Sequence, residues 1–458
     1  MPAIKRPSYF PFVALALGAL AVIISWFEGE LFTDPDRARM TWFLSGGLGL
    51  AAIFYFTRSL QLDWLSAPVV YACLFWVFHF GLTFPAAIYP GLLDPFPWWE
   101  RDWLDTAETQ QALLLSLLFL FCFLLGSLLP RYRRRLLPPP AASERKDYAG
   151  NLIWGGWACV IGGALIGVVA MTAFGLSAFL ESYEEFFDIS HSFSLAIYLI
   201  TLGLMLQVAG GRPLGKVGLA IACFYLPIAV LTFMAGSRMA PLFSLGVMGV
   251  ILTRRGLRLP RLGLIAAVFF LLGLVAVVNE TRQTGLSHLH QTTQLASANP
   301  LSGLTEVGGS LRSVYALVHE MENFGHGYFY GYTYIYPVVR QVKNLIGSAG
   351  YDDYYEVAFI ARYIAVHYGA FGFSTVAEAF FNGGVLGVML FALLWGLILE
   401  VLNQRAGTPY GLAILVVVLI PMIVNVRNTF IFVPAWLFIG FALVGVSRYL
   451  QLVRRVKL

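Results

Sequence analysis

Charge is scarce in this chain: Lys, Arg, Asp and Glu make up 12% of its 458 residues, about half the share found in a soluble domain. That scarcity excludes a disordered chain and a soluble nucleic-acid binder, both of which depend on abundant charge. A hydrophobic content of 59% also argues against a soluble globular enzyme. Cysteine is sparse too. Cys73, Cys122, Cys159 and Cys223 each lie in an apolar run without CxxC spacing. They read as small core residues, not as metal ligands or a disulfide framework. Nucleotide motifs are missing, with no GxxxxGK[ST] loop and no GxGxxG after a strand, which argues against an ATP-driven pump. No HExxH occurs, and no Asp/His cluster has metal-ligand spacing. His288 and His290, the one close His pair, read as part of a surface loop. No metal and no cofactor is expected. Neither an internal repeat nor a domain linker is visible.

Apolar runs near the roughly 17–25 residues needed to cross a bilayer recur throughout. Twelve are read, at about 9–27, 41–57, 65–84, 109–129, 151–174, 193–210, 217–235, 239–252, 262–279, 384–402, 410–426 and 428–447. The pair around Gly236 is short, and a single bent or re-entrant pair would serve as well. The first run has a long apolar stretch with no small-x-small site before Trp26-Phe27-Glu28, so it reads as a retained span rather than a cleaved signal. The expectation is an all-α polytopic membrane protein of about twelve transmembrane helices. Residues 1–279 carry spans 1–9, 280–383 form one large loop, and 384–458 carry spans 10–12 and the C-terminus.

Lys and Arg placement sets the orientation. With the N-terminus inside, 20 of the 30 Lys and Arg fall in cytoplasmic segments, accompanied by Asp63, Glu144, Asp147 and Glu400 alone among the 25 Asp and Glu. The reverse orientation would put Arg131-Tyr-Arg-Arg-Arg135 and Arg254-Arg-Gly-Leu-Arg258 outside. The 280–383 loop therefore lies outside, and a loop of that length is usually functional. Leu311, Val314, Tyr315, Val318 and Met321 share a helical face within it, and Tyr328, Tyr330, Tyr332, Tyr334 and Tyr336 follow.

Basic residues on this otherwise acidic side stand out. Arg238 sits between two apolar runs, Arg282 follows the ninth, and Arg427 lies between the last two. An Arg near hydrocarbon is costly and marks a functional site by default. Each has two readings: a snorkelling or ion-paired structural residue, with Glu280 or Glu378 as partner, or a bidentate ligand for phosphate. A lipid-linked diphosphate presents its charge at this depth. Arg340 ends the aromatic stretch, and Arg312 reads as a solvated position on the amphipathic helix. The tyrosines suit stacking against sugar rings, and equally suit an interfacial aromatic belt.

Among carboxylates, Glu378 is the most informative. Ser374, Glu378 and Asn382 are spaced i, i+4, i+8 in a stretch that leads into the tenth span, so a helix there puts them on one face. A partly buried Glu with a raised pKa suits a general base; pairing with an Arg to hold the loop is the alternative. His326, flanked by Gly325 and Gly327, is a second base candidate, with loop turn chemistry as its other reading.

Three places resemble the oligosaccharide repeat-unit polymerases, the Wzy-type polymerases of O-antigen, capsule, exopolysaccharide and enterobacterial common antigen. Ala235-Gly-Ser-Arg238 resembles that family's Gly-(Ser/Thr)-Arg at the outer end of a span. Asn323 through Arg340 resembles its large-loop pattern of Gly, aromatics and Pro. Ser374-Thr-Val-Ala-Glu378-Ala-Phe-Phe-Asn382-Gly-Gly-Val-Leu-Gly387 resembles its most specific signature, with Gly383 where an aromatic is common. The resemblance covers about 230–450. It implies a GT-C-like, inverting, metal-independent glycosyltransferase of the bacterial inner membrane with a periplasmic site and cytoplasmic termini. The substrate would be an undecaprenyl-diphosphate-linked oligosaccharide, whose growing chain moves en bloc to a new repeat unit. The partners implied are the bilayer, a chain-length regulator and a flippase, and no nucleic acid. The expected site has Glu378 and His326 as catalytic groups. Arg238, Arg282, Arg427 and Arg340 hold diphosphate, and Tyr328, Tyr330, Tyr334, Tyr336 and Asn382 contact glycan. An O-antigen ligase would share this architecture, but the signature at Ser374–Gly387 favours a polymerase. A transporter would show two similar halves and ionisable residues at mid-span.

Overall fold

The computed structural model describes residues 10–28, 35–94, 101–133, 149–174, 183–234, 239–257, 260–284, 299–324, 327–346, 355–369 and 372–456. Among them no strand occurs. The helices are α1 (Phe10–Glu28), α2 (Pro35–Ser59), α3 (Ala67–Phe80), α4 (Thr83–Ile88), α5 (Ala107–Arg133), α6 (Gly150–Phe174) and α7 (Tyr183–Ala209). A π turn at Ile221–Tyr225 joins α8 (Leu214–Ala220) to α9 (Leu226–Met234), and α10 (Met239–Arg254) and α11 (Arg261–Thr284) follow. The loop read from the sequence is itself helical, with α12 (Pro300–Val307), α13 (Leu311–Phe324), α14 (Tyr332–Leu345) and α15 (Tyr355–Tyr368). The chain closes with α16 (Thr375–Arg405), α17 (Pro409–Asn425) and α18 (Val433–Val456).

Among the described residues eight helices are long and apolar enough to cross a membrane, and four shorter apolar helices, at Ala67–Phe80, Ala240–Arg254, Leu262–Val278 and Pro409–Asn425, accompany them. Each of the twelve apolar runs of the sequence falls on one of these. The protein is thus an all-α polytopic membrane protein. The amphipathic stripe expected at 311–321 forms α13, with Leu311, Val314 and Val318 fully buried.

The chain folds as two compact units. One comprises Met1–Pro139, Thr305–Val401 and Asn425–Ala435. Its core is α5, which runs alongside α1, α2, α3 and α13. Glycine brings α5 and α16 into backbone contact. A Cβ added at Gly126 would sit 2.1 Å from the Leu393 carbonyl oxygen, and one at Gly396 would sit 2.0 Å from that of Phe123. Small residues that let backbones meet are the usual basis of helix association in a bilayer, where apolar contact alone drives little. Arg131 closes the same pair of helices through a 2.7 Å ion pair with the fully buried Glu400.

The other unit comprises Pro140–Leu304, Leu402–Val424 and Trp436–Leu458. Here α6 and α7 lie closest, because Gly156, Gly163 and Gly203 leave no room for a side chain between them. Tyr225, on the π turn, donates to the Pro241 carbonyl at 2.9 Å.

Candidate functional site

The first unit gathers polar side chains around the start of α16. Ser374 opens that helix, its hydroxyl accepting the Val376 N–H at 3.1 Å. His79 of α3, fully buried, reaches the same hydroxyl through Nε2 at 2.7 Å. Its Nδ1 lies 3.0 Å from the Phe75 carbonyl. A carbonyl only accepts, so Nδ1 carries the proton, Nε2 accepts, and the Ser374 hydroxyl donates to it. One turn on, Glu378 is buried, with its Oε2 accepting the Phe430 N–H at 2.7 Å. The Thr333 hydroxyl and the Asn425 amide also face that carboxylate. A further turn on, the Asn382 amide donates to the Glu378 carbonyl at 2.8 Å and to the Thr333 hydroxyl at 2.6 Å. The spacing seen in the sequence does place Ser374, Glu378 and Asn382 on one buried helical face.

Beyond Asn382 the helix breaks. Gly383 is extended (φ −162°, ψ 23°), and Gly384 takes φ 60°, ψ −150°, a region that only glycine occupies readily. The break separates the short Glu378-bearing turn from the apolar span. It also seats Tyr328, whose hydroxyl would lie 2.9 Å from a Cβ at Gly384.

Arg427 stands beside this cluster. Its carbonyl accepts the Phe373 N–H at 3.0 Å, and its guanidinium carbon lies 5.9 Å from the Phe78 ring centroid. Gly372 (φ +87°) packs against it, with room for no Cβ nearer than 2.9 Å to the Arg427 carbonyl oxygen. Asn425 donates to the Asn428 carbonyl at 2.8 Å, closing the turn that carries Arg427. Glu378 and Arg427 are therefore held by one loop, 425–430, which Glu378 grips at Phe430.

The aromatic stretch divides. Tyr328 and Tyr330 are exposed, and Tyr330 takes a positive φ of 47°. Tyr334 stacks on Phe391 of α16 (centroids 4.8 Å apart, 11° between planes) and meets Phe430 edge-on. Tyr336 is buried beside Tyr332. Arg340, partly covered, lies on α14 with them. Arg238 and His326 lie outside the described residues. The backbone of Arg282 belongs to α11, but its side chain lies outside the description.

Several polar residues escaped the sequence reading. The buried hydroxyls of Tyr71 and Thr375 and the indole N–H of Trp395 lie close together without meeting hydrogen-bond geometry. His79 is the one residue among His, Lys, Arg, Asp and Glu in the 65–84 run, which is itself a signal. A second polar group joins α5 to the loop helices. His319 Nδ1 lies 3.0 Å from Glu108, and Tyr368 donates to Glu320 at 2.7 Å. Burial and that carboxylate push the Tyr368 phenol above its usual range. Among the described residues no three His, Cys, Asp or Glu side chains gather as metal ligands.

Apolar spans, a kinked helix and a buried carboxylate at the head of one span define a multi-pass membrane protein with a polar site built into its helical bundle. Within that class, the family model for the O-antigen polysaccharide polymerase Wzy matches residues 41–453, and the chain belongs to that family. Protein CapE of Staphylococcus aureus is 25% identical over 177 residues, 38% of this chain and 38% of CapE. The chain thus spans well under half the length of that curated relative. No solved structure matches the chain.

Proposed function

We propose that this protein is a polysaccharide polymerase of the bacterial inner membrane. In this reading it transfers an undecaprenyl-diphosphate-linked glycan en bloc to a new lipid-linked repeat unit on the periplasmic face. A hydroxyl of the acceptor sugar attacks the anomeric carbon of the donor from the side opposite the diphosphate, and the configuration inverts. The new C–O bond forms as the bond to the diphosphate breaks, and the electron pair leaves with the phosphate. Glu378 takes the hydroxyl proton. The departing diphosphate carries the developing charge, and guanidinium groups held in place meet it best; Arg427 and Arg340 are the described candidates, with Arg238 and Arg282. Fixed cations of this kind leave no step that requires a metal. Tyr328 and Tyr330, both exposed, suit contact with the glycan, and Asn382 is a further candidate. A chain-length regulator and a flippase are the expected partners.

The observation that carries this reading is the shared loop. A buried carboxylate grips, through the Phe430 N–H, the same short turn that holds Arg427, which supports assigning the two as a proton acceptor and a phosphate ligand that act together. Deleting the gene should leave single-repeat glycan on the lipid acceptor. Full-length chains left unattached in the deletion strain would indicate a ligase instead. Arg427→Ala and Arg238→Ala should each abolish chain growth while the protein persists in the membrane. Unchanged length ladders from both would remove the phosphate role.

A further inference from the structure

Helix α14 belongs to the loop between spans, yet its contacts lie deep alongside them. Tyr334 stacks on Phe391, which lies seven residues past the Gly384 break, about 10 Å along the α16 span at 1.5 Å per residue. Phe391 in turn meets Phe119 of α5, with centroids 6.4 Å apart. Phe119 lies seven residues past Ala112, where the span Ala107–Tyr132 turns apolar after Glu108-Thr-Gln-Gln111, about 10 Å along its apolar part. Two independent spans therefore put Tyr334 well inside a hydrocarbon layer of roughly 30 Å.

The exposure pattern of α14 is the reverse of a soluble helix. Its outward residues are Ile335, Val338, Val339 and Val342, continued by Ile346, and they are 42–72% exposed. Thr333 and Tyr336 are buried and Arg340 and Lys343 partly covered. An aqueous surface would select the opposite arrangement. Beside it, the α16 span shows the same outward character in Leu386, Leu390 and Leu394, all more than half exposed. With 14 residues, α14 is too short to cross.

From this depth and this inverted face, we infer that α14 is a re-entrant helix whose Ile335, Val338, Val339, Val342 and Ile346 are covered by the acyl chains of bilayer phospholipid. Its other side carries Thr333 and Tyr334 to Glu378. The helix is then a wall one side chain thick between hydrocarbon and the polar cluster. Non-spanning backbone is tolerated at membrane depth when it is helical and packed on protein. The inference rests on the spans α5 and α16 and stands whether or not the protein is a polymerase.

The test uses the full-length wild-type chain in nanodiscs of phosphatidylethanolamine and phosphatidylglycerol, doped with a phosphatidylcholine carrying a diazirine at mid-chain. After photolysis, mass spectrometry should find adducts on Ile335, Val338, Val339 or Val342 as well as on Leu386, Leu390 and Leu394. Adducts on the α16 leucines alone would overturn the inference. A second arm places nitroxides at I335C, V338C and V342C in a Cys223→Ala background, since Cys223 is the exposed cysteine among the four. Relaxation by oxygen should exceed that by a water-soluble nickel chelate at all three positions. Dominant nickel relaxation would make the face aqueous. Low values from both reagents would mean that protein covers it, a second copy or a regulator. Either result overturns the acyl-chain assignment.

Discussion

Glu378 holds the 425–430 loop and is the proposed proton acceptor, and substitution can separate the two roles. One carboxylate oxygen accepts the Phe430 N–H, and an amide oxygen in its place can do the same, so Glu378→Gln should preserve the loop and remove the proton acceptor. The variant should unfold in detergent at the wild-type temperature while chain elongation falls by about 10²–10⁴-fold, the usual contribution of a positioned base. Wild-type elongation would reduce Glu378 to a clamp. Glu378→Ala also strands the part-buried Phe430 N–H, which costs about 1 kcal/mol, the low end of the range for an unsatisfied donor, and its melting temperature should drop as well. His79→Ala carries a penalty of the same order, about 1–3 kcal/mol, because the Ser374 hydroxyl loses its buried acceptor at the head of α16. Thermal unfolding of the purified variant reads it. The sequence revealed Ser374, Glu378 and Asn382 because one helix fixes their spacing. It hid His79, 295 positions from its partner, since no local period encodes a contact between distant spans.

The break in α16 makes neighbouring glycines unequal. A Cβ at Gly383 meets open space, and its extended φ suits any residue. Gly384 takes φ 60° and would press a Cβ against the Tyr328 hydroxyl. Gly383→Ala should therefore leave the melting temperature nearly unchanged. Gly384→Ala should destabilise by about 1–3 kcal/mol, the strain of a residue forced into that region. Equal effects would show that the break does not depend on Gly384. At this scale apolar runs of 14 residues or more were legible, because hydrocarbon demands length and composition of any element that crosses it. The tyrosines were less so. Tyr328 to Tyr336 alternate in the sequence like a ladder on one surface, but the segment from Tyr332 is helical. At 100° per residue Tyr332 and Tyr336 share a side, with centroids 5.5 Å apart, and Tyr334 turns away onto Phe391. Tyr334 and Tyr336 thus make ring contacts within the protein that the alternation alone does not disclose.

Across the whole molecule a formal net charge of +5 conceals two opposite surfaces. Twenty of the 30 Lys and Arg and only four of the 25 Asp and Glu fall in the segments on the N-terminal side of the membrane, and retention of Lys and Arg on the cytoplasmic side is the strongest determinant of orientation. In the proposed orientation the site lies at the other end of the spans, where acidic residues outnumber basic ones and the few arginines are set against the prevailing charge. That arrangement favours holding a phosphate at fixed points over attracting anions generally, because a net acidic face does not concentrate them. It also makes orientation a direct test of the proposal. Tyr330, 85% exposed, lies near the Gly384 end of α16, and Gly407 follows its Arg405 end with open space around it. With Cys223→Ala as background, Tyr330→Cys in spheroplasts should react with a membrane-impermeant maleimide. Gly407→Cys should react only after the membrane is opened. The reverse pattern would put the Glu378 cluster on the cytoplasmic side and exclude transfer of a glycan already carried across the membrane, whatever the arginines bind.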